Sequence, residues 1–181
     1  MPRKLKGIKM KLALLITTCF FGCVQSTGAM DELKVGALAP EFSLKGTDGK
    51  TYVLSEFKGK QPVVIAWFPK AFTRNCTEEC RQLRSKKEEL QKLGVVFLAA
   101  SCDHPRANQS FVENLELNFP VLSDPKGNVA TKFGIYNSTK KVARRTTFFV
   151  SKDGIVVGRA TDFNVANHGN EVLKKVKELF K

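Results

Sequence analysis

The chain is short of the residues that usually announce a metal centre or a disulfide scaffold. It has two His, one Trp and five Cys in 181 residues. Five cysteines are too few to staple a small domain, and their number is odd. No apolar run approaches the roughly 20 residues that a membrane-spanning helix needs. Repeats and low-complexity tracts are absent. Acidic residues are also scarce, 17 against 30 basic, for a formal charge of +13. That excess is uneven. Residues 1–29 hold Arg3, Lys4, Lys6, Lys9 and Lys11 and no acid, which leaves +8 for residues 30–181. The remaining basic residues are scattered and carry no nucleic-acid-binding motif, so charge alone does not argue for that partner. With 43% hydrophobic and 26% charged residues the composition is that of a globular protein. The length suits one domain.

The N-terminus reads as a targeting segment. A basic stretch (1–11) precedes an apolar one, LALLITTCFFGCV (12–24), and then small polar residues, QSTGA. This is the layout of a secretory signal over residues 1–29, ahead of a domain at 30–181. Cleavage after Ala29 is one reading. The other is a lipoprotein signal, in which Cys23, after Phe20, Phe21 and Gly22, carries lipid and gives the protein its one route to a membrane. Either places the mature chain outside the cytoplasm, periplasmic or membrane-tethered. Three cysteines then remain: Cys76, Cys80 and Cys102.

Along residues 30–181, EFSLKGTDGKTYVL alternates around Asp48-Gly49, a hairpin signal. VVIAWF (63–68) and VVFLAAS (95–101) are continuous apolar runs, expected as buried strands. Between them, Thr73–Leu93 has helical periodicity, with Leu83, Leu90 and Leu93 on its apolar side. ANQSFVENLEL predicts a helix, FPVLSD a short third strand and NVATKFGIY a short helix. RTTFFVSKDGIVVGRATD predicts a hairpin that supplies antiparallel edge strands, and EVLKKVKELFK a closing amphipathic helix. Two buried strands joined by a helix make a parallel crossover. The expected fold is α/β and thioredoxin-like: a mixed central sheet with helices on both faces.

Chemistry concentrates in WFPKAFTRNCTEECRQLR (67–84). Cys76 falls just beyond a buried strand, in the first turn of the long helix. The carboxyl ends of such strands are where α/β proteins place their sites. The unpaired N–H groups and dipole of a helix start favour thiolate over thiol. Lys70 and Arg74 add positive charge, and Glu78 and Glu79 oppose it. Singly, each neighbour has a plainer reading: Pro69 ends a strand, Thr73 caps a helix, and Arg145 is a solvated edge charge.

Together these residues resemble the peroxiredoxin family, nearest its bacterioferritin-comigratory subgroup. Pro69, Thr73 and Cys76 reproduce the motif P-x-x-x-T-x-x-C. APEFSL (39–44), Leu83-Arg84, FPVLSD and Gly134-Ile135 resemble further family segments, and Arg145 in R-T-T-F matches the family's second Arg. The resemblance covers residues 35–180. It implies a thiol peroxidase without metal or other cofactor. Cys76 thiolate would attack hydrogen peroxide or an organic hydroperoxide and become a sulfenate. Thr73 would accept from the peroxide and donate to the thiolate, Arg145 would polarise the O–O bond, and Pro69 would shield the sulfur. A thioredoxin-like or other exported thiol would supply electrons; a homodimer is allowed.

Three routes of resolution stay open. Cys80, one helical turn on, shares a face with Cys76, although the subgroup places its second cysteine five residues on and here the spacing is four. Cys102 also lies at the carboxyl end of the sheet. An external thiol is the third route. C-x-x-x-C at a strand–helix junction also resembles exported copper-delivery proteins, for which His104 or His168, both expected in surface loops, would have to serve as ligand. A thioredoxin-type reductase would want C-x-x-C, and a Cys–His hydrolase would need a His beside Cys76.

Overall fold

The computed structural model describes Met1 and residues 32–180. The targeting segment over 1–29, with Cys23, lies outside the described residues apart from Met1.

The Asp48-Gly49 hairpin forms as β1 (Ser43–Lys45) and β2 (Thr51–Val53). A short 3-10 turn at Leu54–Phe57 follows. Next come β3 (Val63–Trp67), α1 (Arg74–Lys92), β4 (Val96–Ser101), α2 (Pro105–Leu115) and β5 (Val121–Ser123). The chain continues with α3 (Asn128–Lys132), a two-residue ribbon of β6 (Tyr136–Asn137) and β7 (Val142–Ala143), then β8 (Thr146–Val150), β9 (Val156–Ala160) and α4 (His168–Leu179).

Five strands make the main sheet, in the order β5-β4-β3-β8-β9. β3, β4 and β5 are parallel, and β8 and β9 join antiparallel. β3 is central because its five residues are all apolar and all buried, so it can be covered on both faces. Val64, Ala66 and Phe68 point to one core, which α1, α2 and α4 cover through Leu83, Leu90, Phe111, Val172 and Val176. Val63, Ile65 and Trp67 point to the other, covered by Phe42, Leu44, Val129 and Phe133 from the hairpin and α3. Each large apolar side chain buried this way contributes about 1.5–3 kcal/mol.

Several boundaries differ from the sequence expectation. β8 is not an edge strand: it lies between β3 and β9, and only β9 is at the edge. The helix expected over NVATKFGIY stops at Lys132, because Gly134 takes φ 67° and turns the chain into β6. Leu93 is the helix cap of α1 and is exposed. α4 starts three residues before EVLKK, at His168.

Candidate active site

Three elements converge on Cys76. β3 delivers the chain to Phe68, whose N–H is bonded to Ala100 O in β4 at 3.0 Å. Residues 69–73 then reverse direction. Ala71 N–H donates to Asp103 Oδ2 (2.8 Å), and Phe72 adopts φ 63°, a left-handed conformation unusual for a bulky residue. Edge-on packing of Phe72 against Phe111, with ring centroids 5.2 Å apart, supports that geometry. α1 begins at Arg74, so Cys76 is its third residue, in the turn whose N–H groups lack helical partners. Its side chain is fully buried against the core beneath α1.

Arg145 arrives from the other end of the chain. The antiparallel register of β3 and β8 pairs Trp67 with Thr146, which sets Arg145 beside the end of β3 where α1 starts. Its Nη2 lies 3.2 Å from Cys76 Sγ. Its Nη1 is bonded to Glu79 Oε2. Glu79 is three residues after Cys76 on the inward face of α1 and is 1% exposed. Its second oxygen, Oε1, lies 3.1 Å from His168 Nδ1 at the start of α4. His168 Nε2 lies 3.1 Å from the Thr147 hydroxyl in β8, and the ring stacks on Phe163. His168 is therefore not the surface loop residue expected from sequence. It is fully buried, and burial, followed by the nearby Arg145 charge, pushes its pKa down to about 3. His104 is exposed and caps α2, accepting from Arg106 N–H.

Of the residues singled out in the sequence, the structure brings Cys76 and Arg145 into contact. Pro69 is half-buried at the end of β3, next to the turn that leads into α1. Thr73 occupies the N-cap position but its hydroxyl donates to Lys70 O (3.0 Å) rather than to Cys76. Arg84 is away from the thiol, donating to Leu115 O (2.6 Å) at the end of α2. Glu79 and Thr147 join the site without a motif to name them, and His168 enters it in a role other than that of a copper ligand. The one sequence signal for them is the helical spacing of Glu79 from Cys76, which by itself implies only a charge opposing Lys70 and Arg74.

All three described cysteines are free thiols. Cys80 is fully buried one turn below Cys76, in the same core cluster. Burial, and then the charge of Cys76, pushes its thiol well above the ordinary range. Cys102 packs against the cluster on the opposite face of the sheet. Burial and the Asp124 carboxylate, partly offset by the Ala143 N–H, push its thiol to about 12. Among the described residues no group of three His, Cys, Asp or Glu side chains is placed to hold a metal ion. The arrangement is suited instead to a thiolate faced by a fixed guanidinium, which stabilises negative charge on sulfur and on an oxygen bound beside it.

Residues 35–159 match the AhpC/TSA family. The chain is 36% identical over 156 residues to a protein described as putative peroxiredoxin bcp of Haemophilus influenzae, covering 83% of this chain and all of that protein. It is 34% identical over 126 residues to alkyl hydroperoxide reductase E of Mycobacterium bovis, covering 68% of this chain and 82% of that protein. Among solved structures, peroxidoxin BcpB of Mycobacterium tuberculosis superposes with a TM-score of 0.75 at 27% identity, over 83% of this chain and 100% of that one.

Proposed function

The chain belongs to the AhpC/TSA family of peroxiredoxins, and from that premise we propose that it is a thiol-dependent peroxidase whose reacting sulfur is Cys76. The observation that carries the residue assignment is the Arg145 Nη2 contact on Cys76 Sγ at 3.2 Å. The copper-delivery reading finds no support among these relatives, which are described as a putative peroxiredoxin and an alkyl hydroperoxide reductase.

In this reading the Cys76 thiolate attacks the distal oxygen of the peroxide. The O–O bond breaks, an S–O bond forms, and the departing alkoxide or hydroxide takes a proton and leaves as alcohol or water. Arg145 stabilises the charge that moves from sulfur to the leaving oxygen. Thr73, exposed at the mouth of the site, keeps its oxygen lone pairs available to the peroxide while its proton is held by Lys70 O. Pro69 has no N–H to offer the sulfur or its substrate.

Cys80 is the resolving thiol in this reading. It shares the core of Cys76, whereas Cys102 packs on the far face of the sheet. Cys80 thiolate attacks the sulfenate sulfur, hydroxide leaves as water, and a Cys76–Cys80 disulfide results. Because Cys80 is buried in an intact helix, the first turns of α1 must unwind for it to react. An external dithiol then returns two electrons. Cys76, Cys80, Thr73 and Arg145 all lie in one chain. The basic and apolar segments of residues 1–29 support export, with a cleaved signal or lipid on Cys23, and hence an extracytoplasmic thiol donor. The relation to an alkyl hydroperoxide reductase supports organic hydroperoxides as substrates alongside hydrogen peroxide.

The test is the rate of oxidation of the reduced protein by peroxide, followed by mass. Cys76→Ser should abolish rapid oxidation. Cys80→Ser should keep the first step and accumulate sulfenate. Oxidation of the wild type no faster than a free thiol, or a mapped Cys76–Cys102 link, would reject the respective assignment.

A further inference from the structure

A guanidinium beside a carboxylate frequently closes a two-bond fork, one nitrogen donating to each oxygen. Arg145 and Glu79 do not close that fork. One nitrogen, Nη1, is on Glu79 Oε2, and the other, Nη2, is turned to Cys76 Sγ. Something must hold Glu79 Oε1 away from Nη2. The atom beside Oε1 is His168 Nδ1, at 3.1 Å. Both atoms are buried, and neither has an aligned hydrogen bond to any described residue; at 3.1 Å they face each other as a close polar contact.

We propose that His168 is a positioning residue: its Nδ1–H occupies Glu79 Oε1, so that Arg145 cannot close a fork on Glu79 and must aim Nη2 at Cys76. The tautomer follows from the surroundings. A bare Nδ1 would put its lone pair against a buried carboxylate oxygen, two acceptors 3.1 Å apart. With the proton on Nδ1, Nε2 accepts from the Thr147 hydroxyl at 3.1 Å, and the N–H is turned toward the Glu79 oxygen that faces it. Phe163, parallel to the ring within 14° at 3.5 Å, fixes its plane. Thr147 also follows Arg145 by two residues at the start of β8, so the strand that delivers the arginine orients the imidazole as well. The inference rests on the reading of Cys76 as the reacting thiol.

The experiment compares wild type, His168→Phe, His168→Asn and Thr147→Val in the full-length reduced protein, by peroxide oxidation and by iodoacetamide alkylation of Cys76. Phe keeps the aromatic stack and removes the donor; the Asn side-chain N–H sits where Nδ1–H does. His168→Phe should slow peroxide oxidation by about tenfold, a partial loss of a charge-stabilising donor. Alkylation, which needs no O–O polarisation, should fall far less. His168→Asn should restore most of the rate. An unchanged peroxide rate in His168→Phe overturns the inference. So does an equal fall in both reactions, or a loss that Asn does not recover. Should His168→Phe fail to fold, Thr147→Val decides: a selective peroxide loss supports the inference, and a wild-type rate overturns it. A wild type that is itself unreactive would reject the peroxidase reading, an outcome separate from these.

Discussion

At the scale of single residues, the site depends on the shape of a guanidinium more than on its charge. Arg145 serves Glu79 and Cys76 with two nitrogens at once. A lysine keeps the charge but has one nitrogen. Arg145→Lys should therefore lose about 10²-fold in peroxide oxidation, the scale of one lost transition-state donor, and Arg145→Ala at least as much. Stopped-flow oxidation of the two variants checks this; Lys at the wild-type rate would show that charge alone suffices. Cys76 and Arg145 were legible because the motif and R-T-T-F name them. Glu79 and His168 were not, since nothing local distinguishes a buried carboxylate on a charged helix from its solvated neighbours. Their meaning comes from α4 packing on α1, a contact between residues 79 and 168 that no spacing rule encodes.

At the scale of elements, α1 and α4 approach so closely that Gly169 is a spacer. A Cβ there would meet the Gln82 carbonyl oxygen at 2.3 Å, a backbone atom that cannot rotate away. Gly169→Ala should push α4 off α1, cost about 1–3 kcal/mol, and slow the peroxide step by lifting His168 from Glu79. Thermal unfolding and oxidation rate, measured together, check it; a variant with unaltered stability would mean the helices have room. Elements themselves were largely readable: the Asp48-Gly49 hairpin, both buried strands and, among the described residues, helices α1 to α4 follow from period and turn residues. The β6–β7 ribbon was not, because two-residue strands have no period to detect. Nor was the interior place of β8, since pairing order is a property of the whole sheet. The same helix carries a redox expectation. If Cys80 resolves by unwinding, amide exchange across the first turns of α1 should rise in the oxidised protein and fall again on reduction. Unchanged protection would remove Cys80 from the resolving role.

At the scale of the whole molecule, the buried neutral imidazole sets an acid limit. His168 stays neutral in the folded state down to about pH 3, whereas the unfolded chain takes up that proton near 6.5. Between those values the unfolded state binds more protons. His168 thus contributes stability that is present above about 6.5 and is lost as pH falls, at up to about 1.4 kcal/mol per pH unit. Denaturant titrations from pH 7 to 4 should show that slope, and His168→Asn should flatten it. An equal slope in both proteins would assign the acid sensitivity to carboxylates alone.

The pairing of Trp67 with Thr146 also orders events in time. The helix that bears both thiols is made of neighbours and can form early, while the strand that brings Arg145 must close a loop of nearly eighty residues. On the proposed reading, Cys76 lacks its guanidinium partner until that strand docks. Reactivity is thus a certificate of completed folding, issued only once the last fifth of the polypeptide has found its place. A chain ending before β8 should meet peroxide as sluggishly as a cysteine in a short peptide, which a timed thiol titration would register directly.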